Sequence, residues 1–328
     1  MEKFKAYRVF NDNDRIAGRL VELGPEDLSA GEVVFRTAYA SVNYKDALAA
    51  TGSGGKIIRK YPLVPGIDAA GTVTTSADAR FKPGDEVICT SYDFGVSHDG
   101  GYAESCRVPA GWVVPLPKGL NLLEAMTLGV AGYTAGLALD LLQLNGLQPG
   151  NGKVLVNGAT GGVATLAIDM LARLGYEVVA VTGKEAEREF LKSLGAAEVL
   201  SRQKLDMGSR PLEKPQWAAA FDSVGGEHLA WLTRTMQPGG LIASFGNAGG
   251  IEFKTTVLPF ILRGVRLIGV DSGYTPMPVR RRIWDRLAGE LKPRHLAAIG
   301  SVITLADLPA YFQRMLDGKI RGRAVVRM

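Results

Sequence analysis

The chain has 328 residues, enough for about two domains at roughly 150 residues each. Hydrophobic residues make up 46% of it and charged residues 22%, a balance typical of a globular core and unlike that of a disordered chain. The net charge is +5, and the basic residues are dispersed apart from one short run, Arg280–Arg282, which we interpret as a solvated helix face. The dispersion argues against nucleic-acid binding, while the mild positive charge suits an anionic small ligand.

The cysteine content and the apolar segments indicate in which cellular compartment the protein lies. Cys89 and Cys106 are too few for a disulfide framework or a multi-cysteine zinc site, and we expect Cys89 to be buried in a strand. Residues Met1–Lys5 lack the apolar core of a signal peptide. The longest apolar stretch, Ala125–Leu139, holds three glycines and two threonines and is too short to span a membrane. We therefore expect a cytoplasmic protein without a membrane partner, in which this stretch is a buried helix.

The first ~120 residues predict a β-rich domain, because short apolar segments alternate with Gly and Pro turns. The clearest strands in this region are Glu32–Thr37, Gly71–Val73 and Val87–Cys89. Beyond it, helix-sized segments such as Ala164–Leu174 and Ala186–Leu194 separate short apolar runs.

Those runs predict a second, differently built domain. They are Val154–Val156, Val178–Val181, Glu198–Leu200, Ala218–Phe221, Leu241–Ser244 and Arg266–Val270. Strands that are apolar throughout belong to a parallel sheet covered on both faces, and six of them match a doubly wound (Rossmann) dinucleotide fold. The predicted fold class is α/β, with a β-rich domain at residues 1–121 and a doubly wound parallel-sheet domain at 122–293.

The remaining residues, 294–328, are too short to form a domain of their own. They contain a predicted strand at Ser301–Thr304, a helix near Ala306–Leu316 and a last strand at Arg323–Arg327, after a helix near Val279–Leu291. We expect this segment to return and complete the first domain.

A glycine-rich turn between Val154 and Ala164 is the strongest local motif. Small residues let the backbone approach a pyrophosphate, and the first helical turn offers free N–H groups and a positive dipole end. Counted as G-x-G-x-x-G, two of the three glycine positions hold alanine, so the strand before the turn and the helix after it carry the prediction. The predicted pyrophosphate-binding residues are Thr160, Gly161, Gly162, Val163 and Ala164.

The end of the second parallel strand indicates which dinucleotide binds. NAD enzymes usually place an acidic residue there for the ribose 2′-hydroxyl. This chain has Thr182, Gly183 and Lys184 instead, and Arg202 follows the third strand. A hydroxyl and cations in place of the acid favour a 2′-phosphate, so we predict that these four residues bind NADPH.

We predict no metal site. The three histidines are far apart, and neither an H-E-x-x-H nor a C-x-x-C motif occurs. The absence of a G-x-S-x-G elbow disfavours an α/β-hydrolase. Hydride transfer requires no protein nucleophile, because the nicotinamide carries the reaction.

With these segments in place, the chain resembles the zinc-independent medium-chain dehydrogenase/reductase superfamily, in its quinone-oxidoreductase branch and acryloyl-CoA reductase (YhdH-type) family. The motifs that carry the resemblance are Asn43–Asp46, Pro65–Gly71, Gly100–Glu104, Gly132–Ala135, the glycine-rich turn, Phe221–Gly225, Pro259–Leu267 and Gly269–Ser272. The resemblance covers essentially the whole chain. Zinc-dependent relatives commonly have Cys at the position of Asn43 and His-Glu at Ile67–Asp68, so these residues support a metal-free site.

The resemblance implies a GroES-like β domain and NADPH-dependent reduction of an activated C=C bond. The expected substrate is an α,β-unsaturated thioester, acryloyl-CoA above all, with hydride delivered to Cβ and a proton to Cα. Asn43 and Tyr44 are the implied catalytic residues in a cleft near the nicotinamide, where Tyr44 donates a hydrogen bond to the substrate carbonyl or the carboxamide. An alternative is that Tyr44 is a packed domain-wall residue. Further cofactor-binding residues implied by the family motifs are Tyr44, Thr134, Asn247, Ile261, Ser272 and Arg323. Arg323 is expected either to reach the cofactor or substrate phosphates or to lie at the surface.

One departure from the family leaves the proton donor open. The enoyl-thioester reductases of the superfamily carry a Tyr about eleven residues after the Asn, where this chain reads Gly52–Lys56. The donor is then Tyr44, another residue or water. The cations Lys56, Arg59 and Lys60 are candidates for contact with CoA phosphates.

Two rival functions remain open from the sequence. One is an NADPH:quinone or enone oxidoreductase, and the other is a non-catalytic NADPH-binding regulator. We also expect a homodimer, formed by edge-to-edge pairing of the sixth parallel strand across a two-fold axis.

Overall fold

The computed structural model of the protein describes residues 3–55 and 57–328. It divides into two compact units. Unit 1 comprises Met1–Ala131, Gly273–Ala288 and Leu296–Met328, and unit 2 comprises Gly132–Ser272 and Gly289–His295. Two bounds therefore differ from the sequence prediction. The first segment extends to Ala131 rather than to residue 121, and Gly273–Ala288 belongs with unit 1 rather than with the nucleotide-binding domain.

The elements of both units follow in chain order. The strands are β1 (Phe4–Asp12), β2 (Arg15–Leu23), β3 (Val33–Ser41), β4 (Asp68–Ser76), β5 (Glu86–Thr90), β6 (Ser105–Val108), β7 (Val113–Pro115), β8 (Lys153–Val156), β9 (Val178–Thr182), β10 (Glu198–Ser201), β11 (Trp217–Asp222), β12 (Met236–Ser244), β13 (Arg266–Gly269), β14 (Gly300–Thr304) and β15 (Arg323–Arg327). The helices are α1 (Tyr44–Thr51), α2 (Leu122–Leu144), α3 (Gly162–Arg173), α4 (Arg188–Ser193), α5 (Gly226–Thr235), α6 (Leu258–Arg263), α7 (Met277–Ala288), α8 (Leu296–Ile299) and α9 (Leu308–Leu316).

Unit 1 is built on a mixed sheet in the order β14-β15-β3-β4-β5-β7, in which β6 also pairs with β3. Strand β15 is antiparallel to β3 and parallel to β14, so the last strand of the chain lies inside the sheet. The apolar side chains of one face meet α1 and α9 in a core that includes Tyr102 and Phe312, whose ring centroids are 6.1 Å apart. This arrangement fixes α1, which carries the Asn-Tyr-Lys-Asp motif, against the sheet.

Unit 2 contains a parallel sheet in the order β10-β9-β8-β11-β12-β13. This is the strand order of a doubly wound fold, in which the chain winds one way from the first strand and then the other. The valines and alanines of β8, β9 and β11 are buried on both faces, which explains why the sequence shows continuous apolar runs there. The predicted Rossmann domain is confirmed.

Helix α2 is long and apolar enough to span a membrane, but 78% of its most apolar 18 residues are buried inside the protein. Its helical geometry breaks at Gly129, with φ 50° and ψ −154°. A Cβ at this position would lie 2.6 Å from both Asp68 Oδ2 and Ser41 Oγ, so the break requires glycine. The break leaves the N–H of Val130 free to donate to both oxygens of Asp68, at 3.1 and 3.0 Å.

The Arg280–Arg282 run is a solvated helix face only in part, and the sequence interpretation is wrong for Arg280. This side chain is fully buried in unit 1, where its guanidinium lies 4.5 Å from the ring centroid of Tyr92 and donates to Thr90 and Gly273. Its two neighbours in the run are exposed. A helix turns by about 100° per residue, so adjacent residues of one run face in different directions. Cys89 is buried, as predicted, and both cysteines are free thiols.

Candidate active site

Tyr44 is presented at the first turn of α1 in unit 1. Its side chain is 47% exposed, whereas Asn43 and Asp46 on either side are buried. The turn is closed by Asp46, whose Oδ2 accepts the Asn43 N–H at 2.8 Å, while the Asn43 carbonyl accepts the Asp46 N–H at 3.0 Å. These two hydrogen bonds form a capping box between Asn43 and Asp46. The capping box fixes the backbone at Tyr44, the first residue of the helix.

The amide of Asn43 is fully engaged below Tyr44. Its Nδ2 donates to Asp68 Oδ2 at 2.8 Å and to Asp46 Oδ2 at 3.2 Å, and its Oδ1 accepts Arg323 Nη1 at 3.0 Å. Carboxylates on one side and a guanidinium on the other fix which end of the amide is nitrogen. Ser41 completes the cluster by donating to Asp68 and accepting Arg323 Nη2. We call Ser41, Asn43, Asp46, Asp68 and Arg323 the buried polar cluster.

The buried polar cluster contains two residues that the sequence predicted for the site, Arg323 and Asn43. Arg323 was expected to reach the phosphates of a cofactor or substrate or to be a surface residue, but it is 4% exposed. Its other donors meet the carbonyls of Thr127 and Val42, and Nη2 lies 3.7 Å from Asp68. Asn43 was expected to act as a catalytic group, but both of its amide hydrogens serve buried carboxylates. Asn43 is therefore held within the cluster, and Tyr44 is the exposed member of the predicted catalytic pair.

Two carboxylates and a single arginine share this buried space. Burial, followed by the nearby charge of Asp68, raises the pKa of Asp46 to about 7, against an ordinary value of 3.8. Hydrogen bonds from Asn43, Ile67 and Tyr102 to Asp46 oppose that rise without cancelling it. Burial also lowers the pKa of Arg323, and the charge of Asp68 acts in the opposite direction. Protonation of Asp46 therefore changes near neutral pH inside this cluster.

The glycine-rich turn of unit 2 forms an uncapped helix N-terminus. Helix α3 begins at Gly162, and Gly161 before it is extended and provides no side-chain cap. Thr160 and Ala164 are buried, Gly161 is exposed, and Gly162 and Val163 are partly exposed. An N-terminus with unfilled N–H groups is where a phosphate binds. The residues predicted for the pyrophosphate thus line one short turn that fits it.

The residues predicted for the 2′-phosphate meet at the ends of β9 and β10. A Cβ on Gly183 would lie 2.9 Å from Arg202 Nη2, so the guanidinium rests directly against this glycine. The Lys184 N–H donates to Thr182 Oγ1 at 3.0 Å, which shapes the turn, and Thr182 itself is buried. Partial burial lowers the pKa of Lys184. The guanidinium of Arg202 therefore lies against the turn that Lys184 follows in sequence, while Thr182 supports the turn.

The remaining predicted cofactor residues of unit 2 fall into two places. Thr134 Oγ1 donates to Ser272 Oγ at 2.8 Å, so this predicted pair is in direct contact. Asn247 is exposed in the turn after β12, where its carbonyl accepts the Gly250 N–H at 3.0 Å. Ile261 is 68% exposed on α6, among other exposed apolar side chains.

Sequence reasoning missed a hydrogen-bonded pair that holds the carboxyl ends of three strands. Asn157 Nδ2 donates to Asp222 Oδ1 at 2.6 Å, and Ser244 Oγ donates to Asp222 Oδ2 at 3.0 Å. The N–H of Ser223 donates to Asn157 Oδ1 at 2.7 Å. Buried polar residues directly after apolar runs were the available signal. This pair fixes the edge of the sheet where the glycine-rich turn begins.

The predicted CoA cations are only partly described. Lys56 lies outside the described residues, and Arg59 and Lys60 are exposed on the segment after α1. Over residues 3–55 and 57–328, no group of three or more His, Cys, Asp or Glu side chains is arranged to hold a metal ion.

Family models match both halves of the chain. The alcohol dehydrogenase GroES-like domain matches residues 29–118, and the zinc-binding dehydrogenase domain matches residues 162–288.

Three relatives match the chain over nearly its whole length. It is 46% identical over 96% of its length to the acrylyl-CoA reductase AcuI of Ruegeria pomeroyi, of which it covers 97%. It is 47% identical to the putative quinone oxidoreductase YhfP of Bacillus subtilis, with 99% of each chain covered. The structure of YhfP with NAD bound has a TM-score of 0.97 at 46% identity, with 100% of each chain covered. The YhdH oxidoreductase of Salmonella enterica in complex with NADP has a TM-score of 0.96 at 44% identity, with 99% of each chain covered.

Proposed function

Because the chain belongs to the zinc-independent branch of the medium-chain dehydrogenase/reductase family, we propose that it reduces the C=C bond of an α,β-unsaturated thioester, acryloyl-CoA above all, with NADPH. The observation that carries this substrate is the 46% identity to an acrylyl-CoA reductase over 96% of the chain. NADPH is the cofactor, in agreement with the NADP-bound relative and with the two cations beside Gly183. The NAD-bound relative makes the preference between the two dinucleotides a matter for direct measurement.

The residues of this chain have separate tasks in the proposed reaction. Bound nicotinamide supplies the hydride that reaches Cβ of the substrate. The α3 N-terminus binds the pyrophosphate, and Lys184 and Arg202 bind the 2′-phosphate. The Tyr44 hydroxyl donates a hydrogen bond to the thioester carbonyl, where negative charge develops as the hydride arrives. The proton for Cα comes from Tyr44, another residue or water.

A second candidate function is reduction of a quinone or enone. It is favoured by the Bacillus relative, a putative quinone oxidoreductase at 47% identity. The same hydroxyl of Tyr44 serves a quinone carbonyl equally well, because both acceptors develop negative charge on oxygen.

We propose a homodimer in the cytoplasm. Strand β13 lies at the edge of the unit 2 sheet, and exposed apolar residues lie on β13, on α6 and just before α6. They are Val257, Ile261, Leu262 and Leu267. An exposed edge strand flanked by apolar surface favours pairing with a second copy. The two free, buried thiols suit a reducing compartment.

The direct test compares oxidation of NADPH with acryloyl-CoA and with 1,4-benzoquinone. We expect acryloyl-CoA to give the higher kcat/KM, and Tyr44→Phe to lower kcat and kcat/KM together by about a hundredfold, since the hydrogen bond strengthens in the transition state. Tyr39→Phe on β3 removes a hydroxyl from the same unit and serves as the matched control. Turnover of the quinone without turnover of acryloyl-CoA would overturn the substrate assignment.

A further inference from the structure

An exposed aromatic side chain of unit 1 lies beside a cation that the proposed chemistry does not use. Tyr274 is 55% exposed, and its hydroxyl donates to Asp93 Oδ1 at 3.1 Å. Arg59 Nη1 lies 4.0 Å from the same carboxylate oxygen. A planar ring and a guanidinium therefore meet at one acceptor on the surface. We call Tyr274, Arg59 and Asp93 the tyrosine platform.

The ring of Tyr274 is supported from below by Tyr92. The two ring centroids are 6.4 Å apart in an edge-on arrangement. Tyr92 also bonds to both chain neighbours of Tyr274, because its N–H donates to the Gly273 carbonyl at 3.0 Å and its hydroxyl to the Thr275 carbonyl at 3.1 Å. Trp112 stacks on Tyr92 at 5.7 Å. The exposed ring is thus held in place before any ligand arrives, which reduces the entropy lost on binding.

The backbone beneath the platform is in an unfavourable conformation. Ser91 and Tyr92 have φ values of 66° and 54°, which non-glycine residues rarely adopt. Such conformations persist where surrounding contacts enforce them, and they concentrate at ligand sites. The Ser91 N–H donates to the Ile67 carbonyl, and the Ile67 N–H donates to Asp46 Oδ1 on α1. The platform is therefore connected by two hydrogen bonds to the helix that presents Tyr44.

The chemistry of the platform fits one kind of ligand. An exposed tyrosine face stacks on a planar heteroaromatic ring, and the adjacent guanidinium pairs with phosphate. The Arg59 side chain is 65% exposed and also hydrogen-bonds Tyr274, so its guanidinium lies beside the ring and open to a phosphate, and Lys60 next to it in sequence is also exposed. We propose that the tyrosine platform, with Lys60, binds the adenine and phosphates of coenzyme A. The inference rests on the proposed function, because a CoA thioester is the substrate that carries an adenine nucleotide at one end and the reacting acyl group at the other.

Binding to the NADP⁺-saturated protein tests the proposal, since saturation blocks the dinucleotide site. The probes are free coenzyme A and pantetheine, which lacks the nucleotide, in calorimetric titrations. We expect Tyr274→Leu to raise the Kd of coenzyme A about tenfold more than that of pantetheine, a ratio equal to about 1.4 kcal/mol. Tyr274→Phe keeps the ring and should stay within about threefold of the wild type. Arg59→Gln should weaken coenzyme A binding and reduce its dependence on salt, whereas Arg15→Gln, on the β1–β2 turn, should do neither.

Each result separates this inference from the proposed function. Equal losses for both probes, an unchanged Kd in Tyr274→Leu, or no binding of coenzyme A by the wild type would overturn the platform assignment. If Tyr274→Leu instead raises the KM for 1,4-benzoquinone as much as that for acryloyl-CoA, the ring contacts the reacting group and the assignment also fails. Tight, platform-dependent binding of coenzyme A without reduction of acryloyl-CoA would contradict only the proposed function.

Discussion

Individual polar residues show most clearly what sequence can and cannot predict. The small residues of the glycine-rich turn lie together because they are neighbours in sequence, so a local motif is enough to group them. The burial of Arg280 and Arg323 was missed, because most of their partners lie far away in the chain. A buried arginine is stable only with hydrogen-bonding partners, and a short motif does not reveal them.

Lys184 allows a test of cofactor selection at a single residue. Removal of its charge in Lys184→Ala should raise the Kd of NADPH about tenfold and leave that of NADH nearly unchanged, since only NADPH has the 2′-phosphate. Because partial burial lowers the pKa of Lys184, wild-type affinity for NADPH should decline at a lower alkaline pH than an ordinary lysine would give. Fluorescence titration across pH measures both. Lys192→Ala, on the exposed face of α4, is the control, and equal losses for the two dinucleotides would contradict the assignment.

The raised pKa of Asp46 predicts how the free energy of unfolding depends on pH. Its pKa is about 7 in the folded protein and near its ordinary value of 3.8 when unfolded. Between these values the folded state holds the extra proton, so this group's contribution to the free energy of unfolding is greatest at the acidic end and is lost as pH rises through about 7. Other groups titrate as well, so the quantity to measure is the difference between wild type and Asp46→Asn.

Urea denaturation at a series of pH values provides that difference. We expect Asp46→Asn to be less stable by about 1–3 kcal/mol, because its amide NH₂ would face the N–H donors of Asn43 or Ile67. Its deficit should shrink as pH rises from 4 towards 7, since the wild type alone loses the contribution of the bound proton. A deficit that stays constant across this range would show that Asp46 does not titrate there.

At the scale of the element, the break in α2 allows a hydrogen bond between this helix and strand β4 within the buried polar cluster. The Val130 N–H begins the second part of the helix and donates to Asp68, so a strand residue caps a helix from outside it. The apolar composition of Ala125–Leu139 predicted a buried helix but not its break. Nothing in the local sequence shows that Asp68 and Ser41 occupy the space a side chain at position 129 would need.

Substitution of Gly129 measures how much the break contributes to the free energy of unfolding. Gly129→Ala should lower the free energy of unfolding by about 2–4 kcal/mol, because it adds both backbone strain and contact with Asp68 and Ser41. Gly146, just beyond the other end of α2, also has a positive φ of 97°, but a Cβ there meets nothing within 4 Å. Gly146→Ala therefore isolates the strain. Equal losses in the two variants, measured by urea denaturation, would refute the contact with the cluster.

At the scale of the whole molecule, the sequence predicted two domains, the parallel sheet and the return of the C-terminal segment. It placed the bounds wrongly because domain membership depends on packing, which continues past Asn121 into the first part of α2. Helix α7 was assigned to the nucleotide-binding domain because it follows β13 in the chain. Its buried face, including Arg280, instead packs within unit 1.

The proposed dimer gives a prediction at this scale. Leu262→Glu and Leu267→Glu place charges on the exposed apolar surface next to β13 and should shift the protein from dimer to monomer, because a charge buried in an interface is costly. Sedimentation velocity or light scattering measures the mass. Leu20 on β2 of unit 1 is 49% exposed, between Leu267 at 37% and Leu262 at 64%, and Leu20→Glu should remain dimeric. A wild type that is monomeric at micromolar concentration would rule out the dimer.

The position of β15 between β14 and β3 has a consequence for synthesis on the ribosome. All six strands of the unit 2 sheet have been made once Gly269 emerges, whereas the unit 1 sheet lacks the strand that joins β14 to β3 until Arg323–Arg327 follows. Until then the pairing edge of β3 is open, and Asp68 and Asn43 have no arginine partner. The nascent chain should therefore complete its later-encoded unit first. Truncation even a few residues short of the end should leave unit 1 unable to close, and such chains should be exposed to proteolysis.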